Sequence, residues 1–131
     1  MIALDTNVLV RVLVDDEPAQ ARKARAILDR CLADDEACFV SDVVLAETVW
    51  VLEGPYRFSR KEIAATLHRL IVARPLVFES RERLLGALDG FDAGRGDFSD
   101  YVVLRRAIDA GASALYSFDR KLLRETGVRQ P

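Results

Sequence analysis

Ile2-Ala3-Leu4-Asp5-Thr6-Asn7 decides the fold: three apolar residues run into an acid, a threonine and an asparagine, and Val8 to Val14 then resumes as a second apolar run. A short buried strand that ends in a polar turn gives this pattern. In a parallel sheet Asp5 would stand at the carboxyl end of its strand, the edge at which open α/β sheets bind ligands.

Working outward, Val8 to Val14 is expected to form a short helix, and Asp15-Asp16-Glu17-Pro18 to open the next one. Proline suits a first helical turn, and acids suit the positive end of the helix dipole. Ala21, Ala24, Ile27, Leu28, Cys31 and Leu32 then recur at helical spacing, with Arg22, Lys23, Arg25, Asp29 and Arg30 on the other face. Ala37 to Ser41 is compact and β-favouring, and Ser41 or Asp42 can cap the helix that follows. That helix, Val43 to Leu52, is apolar nearly all round, so it is expected to be largely buried with Glu47 as the charge in its middle, and Gly54-Pro55 ends it.

Ser59-Arg60-Lys61-Glu62 is a capping box, and Ile63, Leu67, Leu70 and Ile71 mark one face of a helix that stops before Pro75. The only histidine, His68, lies beside this face with no second histidine or cysteine placed to join it. Leu76 to Glu79 reads as a third strand, Ser80 begins a helix through Leu84, Leu85 and Leu88, and Gly90 to Gly96 reads as a loop delivering Asp97 and Asp100 to another helix. Gly111 ends that helix, Ala114 to Phe118 is a fourth strand ending at Asp119, Arg120 opens a short helix, and Val128 to Gln130 is a candidate edge strand. Strands alternating with helices imply a layered α/β domain with a parallel sheet.

A chain of 131 residues with 50% hydrophobic content is expected to fold as one domain spanning 1–131. No apolar run approaches the roughly 20 residues that span a bilayer, and the N-terminus lacks a signal-peptide profile, so no membrane association and a cytoplasmic location are expected. Cys31 and Cys38 fall among apolar neighbours, which favours buried free thiols over a disulfide. With 19 basic and 21 acidic residues, no bulk basicity advertises a nucleic-acid partner. Such binding would have to come from local patches or from a metal ion.

Four acids are oddly placed. Asp5 and Asp119 each terminate an apolar strand, Glu47 interrupts an apolar helix, and Asp100 sits in the first turn of another. A buried lone carboxylate is costly and is normally neutralised, paired or bound to a metal. Positions 43, 44, 50 and 51 are Val, Val, Trp and Val, so no partner for Glu47 lies along its own helix. Carboxylates converging at strand ends would hold Mg²⁺ or Mn²⁺, hard ions that prefer oxygen, and the chemistry such a site suits is phosphodiester hydrolysis. The alternative for Asp5 and Asp119 is a helix cap, and Asp97 with Asp100 equally fits a capping-box variant; capping and ligation are compatible.

With those residues in hand the chain resembles the PIN-domain ribonucleases, and among them the VapC-type toxins of toxin–antitoxin pairs. The resemblance rests on Leu4-Asp5-Thr6-Asn7, Glu47 followed by Val49-Trp50-Val51-Leu52, Asp97-Phe98-Ser99-Asp100, and Ser117-Phe118-Asp119-Arg120. It implies a three-layer α/β/α fold with a central parallel sheet of four to five strands, a Mg²⁺-dependent endoribonuclease, an RNA substrate, a cognate antitoxin and a homodimer. Carried over by position, Asp5, Glu47 and Asp100 resemble the core metal-binding acids, Asp119 a less constant fourth, and Asp97 an accompanying acid. Thr6 and Asn7 resemble the support of the first acid, and Ser117 stands where the family often has Thr. Arg11, Arg120 and Lys121 lie near the proposed strand ends as candidate phosphate contacts. The competing reading is a catalytically silent PIN-like module that binds RNA or protein, with the acids serving as caps and buried pairs.

Overall fold

The computed structural model describes Met1–Pro131. The chain divides into two compact units, Met1–Glu79 and Ser80–Pro131, and each has its own parallel sheet.

In the first unit β1 (Ile2–Ala3) leads through Asp5 into α1 (Thr6–Leu13), α2 (Pro18–Ala33), β2 (Cys38–Val40), α3 (Asp42–Glu53), α4 (Arg60–Val72) and β3 (Leu76–Phe78). The sheet is parallel in the order β1-β2-β3, with Ile2 opposite Cys38 and Cys38 opposite Leu76. The helix starts follow the sequence closely. Pro18 takes the first turn of α2, and Ser41 caps α3 by accepting from the Val44 amide at 3.2 Å. Ser59 and Glu62 form the reciprocal capping box of α4, at 3.1 Å in each direction.

The core of this unit is Leu4, Leu9, Val10, Cys31, Cys38, Val40, Leu45, Val49, Leu52, Ile63, Leu67 and Ile71. Cys31 and Cys38 are both buried free thiols, and burial, reinforced by the Cys31 thiol, pushes the Cys38 thiol up to about 12. His68 is exposed. Leu32, read as part of the inner face of α2, is instead 50% exposed.

The helix α3 departs from expectation more strongly. Leu45, Val49 and Leu52 are fully buried, but Val43 and Trp50 are 66% and 55% exposed and Glu47 is exposed between them. Positions 43, 47 and 50 follow the i, i+4, i+7 spacing of a single helix face. Apolar composition all round therefore does not make α3 a buried helix. Glu47 is solvated, and the cost of burying a lone carboxylate does not apply to it.

In the second unit α5 (Arg81–Ala93) packs on α6 (Phe98–Asp109), followed by β4 (Leu115–Tyr116), a 3-10 turn (Leu122–Arg124) and β5 (Val128–Arg129). Phe91 and Phe98 meet edge to face at 6.1 Å in the core, and Arg83 pairs with Asp109 at 2.7 Å from one helix to the other. Strands β4 and β5 form a separate two-stranded parallel sheet. The five expected strands are thus present and parallel, divided between a sheet of three and a sheet of two rather than joined in one of four to five. Of the expected Ala114–Phe118 strand, Leu115 and Tyr116 pair in register with Val128 and Arg129, and the Ser117 amide donates to the Arg129 carbonyl at 3.0 Å.

The expected loop over 90–96 is mostly helix, since α5 continues through Gly90 to Ala93. Its glycines answer to a neighbouring ring. A Cβ on Gly90 would come within 2.6 Å of the Tyr101 ring, and one on Gly94 would fall on the Tyr101 hydroxyl. Gly111, with φ of +85°, ends α6 in the left-handed conformation that its lack of a side chain permits.

Candidate functional site

Asp5 leaves β1 in extended conformation (φ −85°, ψ 163°) and caps α1, its Oδ1 accepting from the Thr6 amide at 2.8 Å. This orients Thr6 so that its hydroxyl donates to Glu47 Oε2 at 2.6 Å, joining residues 41 positions apart. The strand-end acid, its neighbour and the α3 acid form one hydrogen-bonded unit. They line a cleft of about 390 Å³ together with Asn7, Arg11, Val51 and Tyr56. Asp5 and Glu47 are exposed, so both carboxylates are reachable from solvent.

Arg11 is committed within this cleft. Its Nε donates to Gln20 at 2.6 Å, and its Nη1 donates to Asp16 and to the Tyr56 hydroxyl, each at 3.2 Å. Tyr56 in turn donates to the second Asp16 oxygen at 2.6 Å. The bond to Asp16 raises the Tyr56 pKa above its ordinary value, and the bond to Tyr56 does the same for Arg11. Tyr56, Asp16 and Gln20 escaped the sequence reading, because nothing about a tyrosine after a helix-ending Gly54-Pro55, or an acid in a turn, marks it as a partner of Arg11.

The second unit holds the other acids. The Asp97 amide donates to Asp100 Oδ2 at 3.0 Å at the start of α6, so Asp97 and Asp100 do act as a helix-capping pair. Asp100 is half-buried, and its pKa is raised chiefly by burial, with the hydrogen bond from the Asp97 amide opposing, the negative charges of Asp97 and Asp119 adding to the rise and Lys121 lowering it. Asp119 is fixed by its own turn: its amide donates to Ser117 Oγ at 3.0 Å, and its Oδ1 accepts from the Lys121 amide at 2.9 Å. Ser117 therefore supports Asp119 through its hydroxyl. Arg120 and Lys121 are exposed beside it.

Asp5, Thr6, Asn7, Arg11 and Glu47 are thus gathered at one cleft, while Asp97, Asp100, Asp119, Ser117 and Lys121 belong to the second unit. Within either unit no group of three or more His, Cys, Asp or Glu side chains is drawn close enough to hold a metal ion. The donor chemistry fits a hard divalent ion, since every candidate ligand is a carboxylate oxygen and no thiol or imidazole is near the cleft. No helix is long and apolar enough to cross a membrane.

No curated protein matches the chain. Among solved structures it is similar to the Mycobacterium tuberculosis toxin VapC20, described as cleaving the sarcin-ricin loop, with 20% identity, coverage of 100% of both chains and a TM-score of 0.42. The family model of the PIN domain matches residues 2–128, across both units. The chain belongs to the PIN domain family.

Proposed function

We propose that this chain is a Mg²⁺-dependent endoribonuclease and the VapC-type toxin of a toxin–antitoxin pair. The observation that carries the reading is the hydrogen-bonded Asp5, Thr6 and Glu47 unit in an open cleft of a PIN-domain chain. Asp5, Glu47 and Asp100 are the metal-binding acids of this reading, with Asp119 as a fourth and Asp97 as an accessory. Mg²⁺, or Mn²⁺ in its place, would supply a water of lowered pKa and offset the charge that develops on the phosphodiester.

The chain's own groups prepare that chemistry. Thr6 uses its hydroxyl proton on Glu47 and so holds the carboxylate in one orientation. Asp5 spends one oxygen on the Thr6 amide and keeps the other for ligation. Ser117 and the turn at Lys121 hold Asp119 in the same way. Arg120 and Lys121 are the cations best placed beside these acids to meet phosphates, and Arg11 acts chiefly by bracing Tyr56 in the cleft wall. An antitoxin would silence the site by placing a guanidinium or ammonium among the carboxylates. The single domain, homodimer and cytoplasmic location belong to the same proposal.

Induced expression in bacterial cells tests the toxin. Wild type should arrest growth and leave new RNA 5′ ends, while Asp5→Asn and Glu47→Gln at equal abundance should do neither. Arrest by all three proteins would remove the carboxylates from the cause. Mg²⁺-dependent cleavage by purified protein without arrest in cells would leave a ribonuclease that is not a toxin.

A further inference from the structure

Next to the carboxylate cleft runs a second hollow of about 470 Å³ between α1 and α2. Asn7 and Arg11 line both, so the two adjoin at these residues. On α2 the contributing residues are Gln20, Lys23, Ala24 and Ile27, one face of the helix at i, i+3, i+4, i+7. Ala24 is buried, whereas Ile27 of α2 and Val8 of α1 are only half-buried, which leaves an accessible apolar floor. The rim is polar: two amides, Asn7 and Gln20, and two cations, Lys23 and Arg11. No carboxylate lines this hollow, in contrast to the cleft with Asp5 and Glu47.

We propose that the α1–α2 groove is a nucleotide subsite for single-stranded RNA, holding a residue that flanks the bond cut in the carboxylate cleft. The inference rests on the ribonuclease reading for the second half of that statement only. Three features select a nucleotide over other occupants. A phosphate entering next to paired acids needs a cation beyond them, and Lys23 is exposed on the acid-free side. A base face needs apolar surface, which Val8, Ala24 and Ile27 supply. Base edges need donors in fixed orientation, and Gln20 has one: Arg11 can only donate, so the oxygen of Gln20 is spent on Arg11 Nε at 2.6 Å and its NH₂ is left to point elsewhere. The subsite should therefore favour a base that offers an acceptor there. Sequence-specific RNA readers commonly take unstacked bases in this manner, and the volume lies within the range of about 300–1,000 Å³ typical of small-ligand sites.

The test is binding of a short labelled single-stranded RNA of randomised sequence, followed by anisotropy in EDTA so that nothing is cut, for wild type, Lys23→Glu and Arg22→Glu. Both variants make the same charge change on exposed positions of one helix, but Arg22 does not line the groove. Lys23→Glu should weaken binding about tenfold and lower the slope of log K against log salt by about one, with a much smaller effect from Arg22→Glu. In Mg²⁺, Lys23→Glu should raise KM and leave kcat in place. Equal losses for the two variants, or none for Lys23→Glu, would overturn the subsite even if wild type cuts RNA and Asp5→Asn does not. A Lys23-dependent RNA affinity in a protein that never cleaves would keep the groove and sink the ribonuclease reading.

Discussion

Thr6 links the first acid to the second, and its replacement separates positioning from folding. Thr6→Val keeps the side-chain shape and removes the donor to Glu47. It should lower cleavage about tenfold or more while changing stability by no more than about 1.5 kcal/mol, the range for a single hydrogen bond, and Thr6→Ser should restore most of the activity. Rates and melting curves for the three proteins check this; a loss confined to stability would make Thr6 structural only. Cys38 carries a pH prediction of a different kind. Its folded-state pKa of about 12 lies well above the ordinary thiol value, so the unfolded chain releases this proton first as pH rises. Stability that is whole at neutral pH should fall from about pH 9 upward, by at most about 1.4 kcal/mol per pH unit. Cys38→Ala, compared over the same pH range in chemical denaturation, should flatten that decline. Asp100 works in the opposite sense from a stabilising carboxylate: its pKa is raised on folding, so its ionised form costs stability at neutral pH and the cost fades as pH falls. Asp100→Asn should accordingly be as stable as wild type or more so at pH 7, and inactive.

At the scale of elements, the junction of α5 and α6 depends on Tyr101. Its hydroxyl accepts from the Gly96 amide at 3.2 Å and donates to Glu125 at 2.9 Å, tying the segment before Asp97 to the segment after the 3-10 turn. Gly90→Ala drives a methyl into that ring and should destabilise the protein by about 1–3 kcal/mol, the range for overpacking a fitted contact, as read by urea denaturation. A neutral or stabilising outcome would mean that the ring yields freely. Helix starts were legible because caps are local: Ser41, Ser59 with Glu62, Ser80 and Pro18 each act within four residues of themselves. The helix through Gly90 was not, because Gly90 serves the Tyr101 ring eleven residues away rather than a turn. The expectation that Glu47 is a buried charge does not hold, since it is exposed. Hydrophobic residues on every side of α3 suggested burial, whereas the chain leaves Val43 and Trp50 in solvent and holds Glu47 through Thr6. Arg11 was legible as a cation near a strand end, and its ties to Asp16, Gln20 and Tyr56 were not, since they join side chains from three segments.

At the scale of the molecule, an acidic chain of net charge −2 is proposed to act on a polyanion. In this proposal local arrangement overcomes that mismatch: carboxylates suited to a divalent cation, Arg120 and Lys121 exposed beside Asp119, and Lys23 on a hollow that no carboxylate lines. The sequence signalled the parallel α/β class through its alternation of strands and helices, and the family model extends over residues 2–128. The division of strands into a sheet of three and a sheet of two was not signalled, because pairing depends on which short segments meet and not on their composition. The most direct test of the account is cleavage of total cellular RNA by the purified, antitoxin-free protein, run with Mg²⁺, with EDTA, and with Asp5→Asn in place of wild type. The account predicts discrete fragments only from wild type with Mg²⁺. Fragments that persist in EDTA or with Asp5→Asn, or no fragments from a folded wild type that also binds no Mg²⁺ in calorimetry, would contradict it.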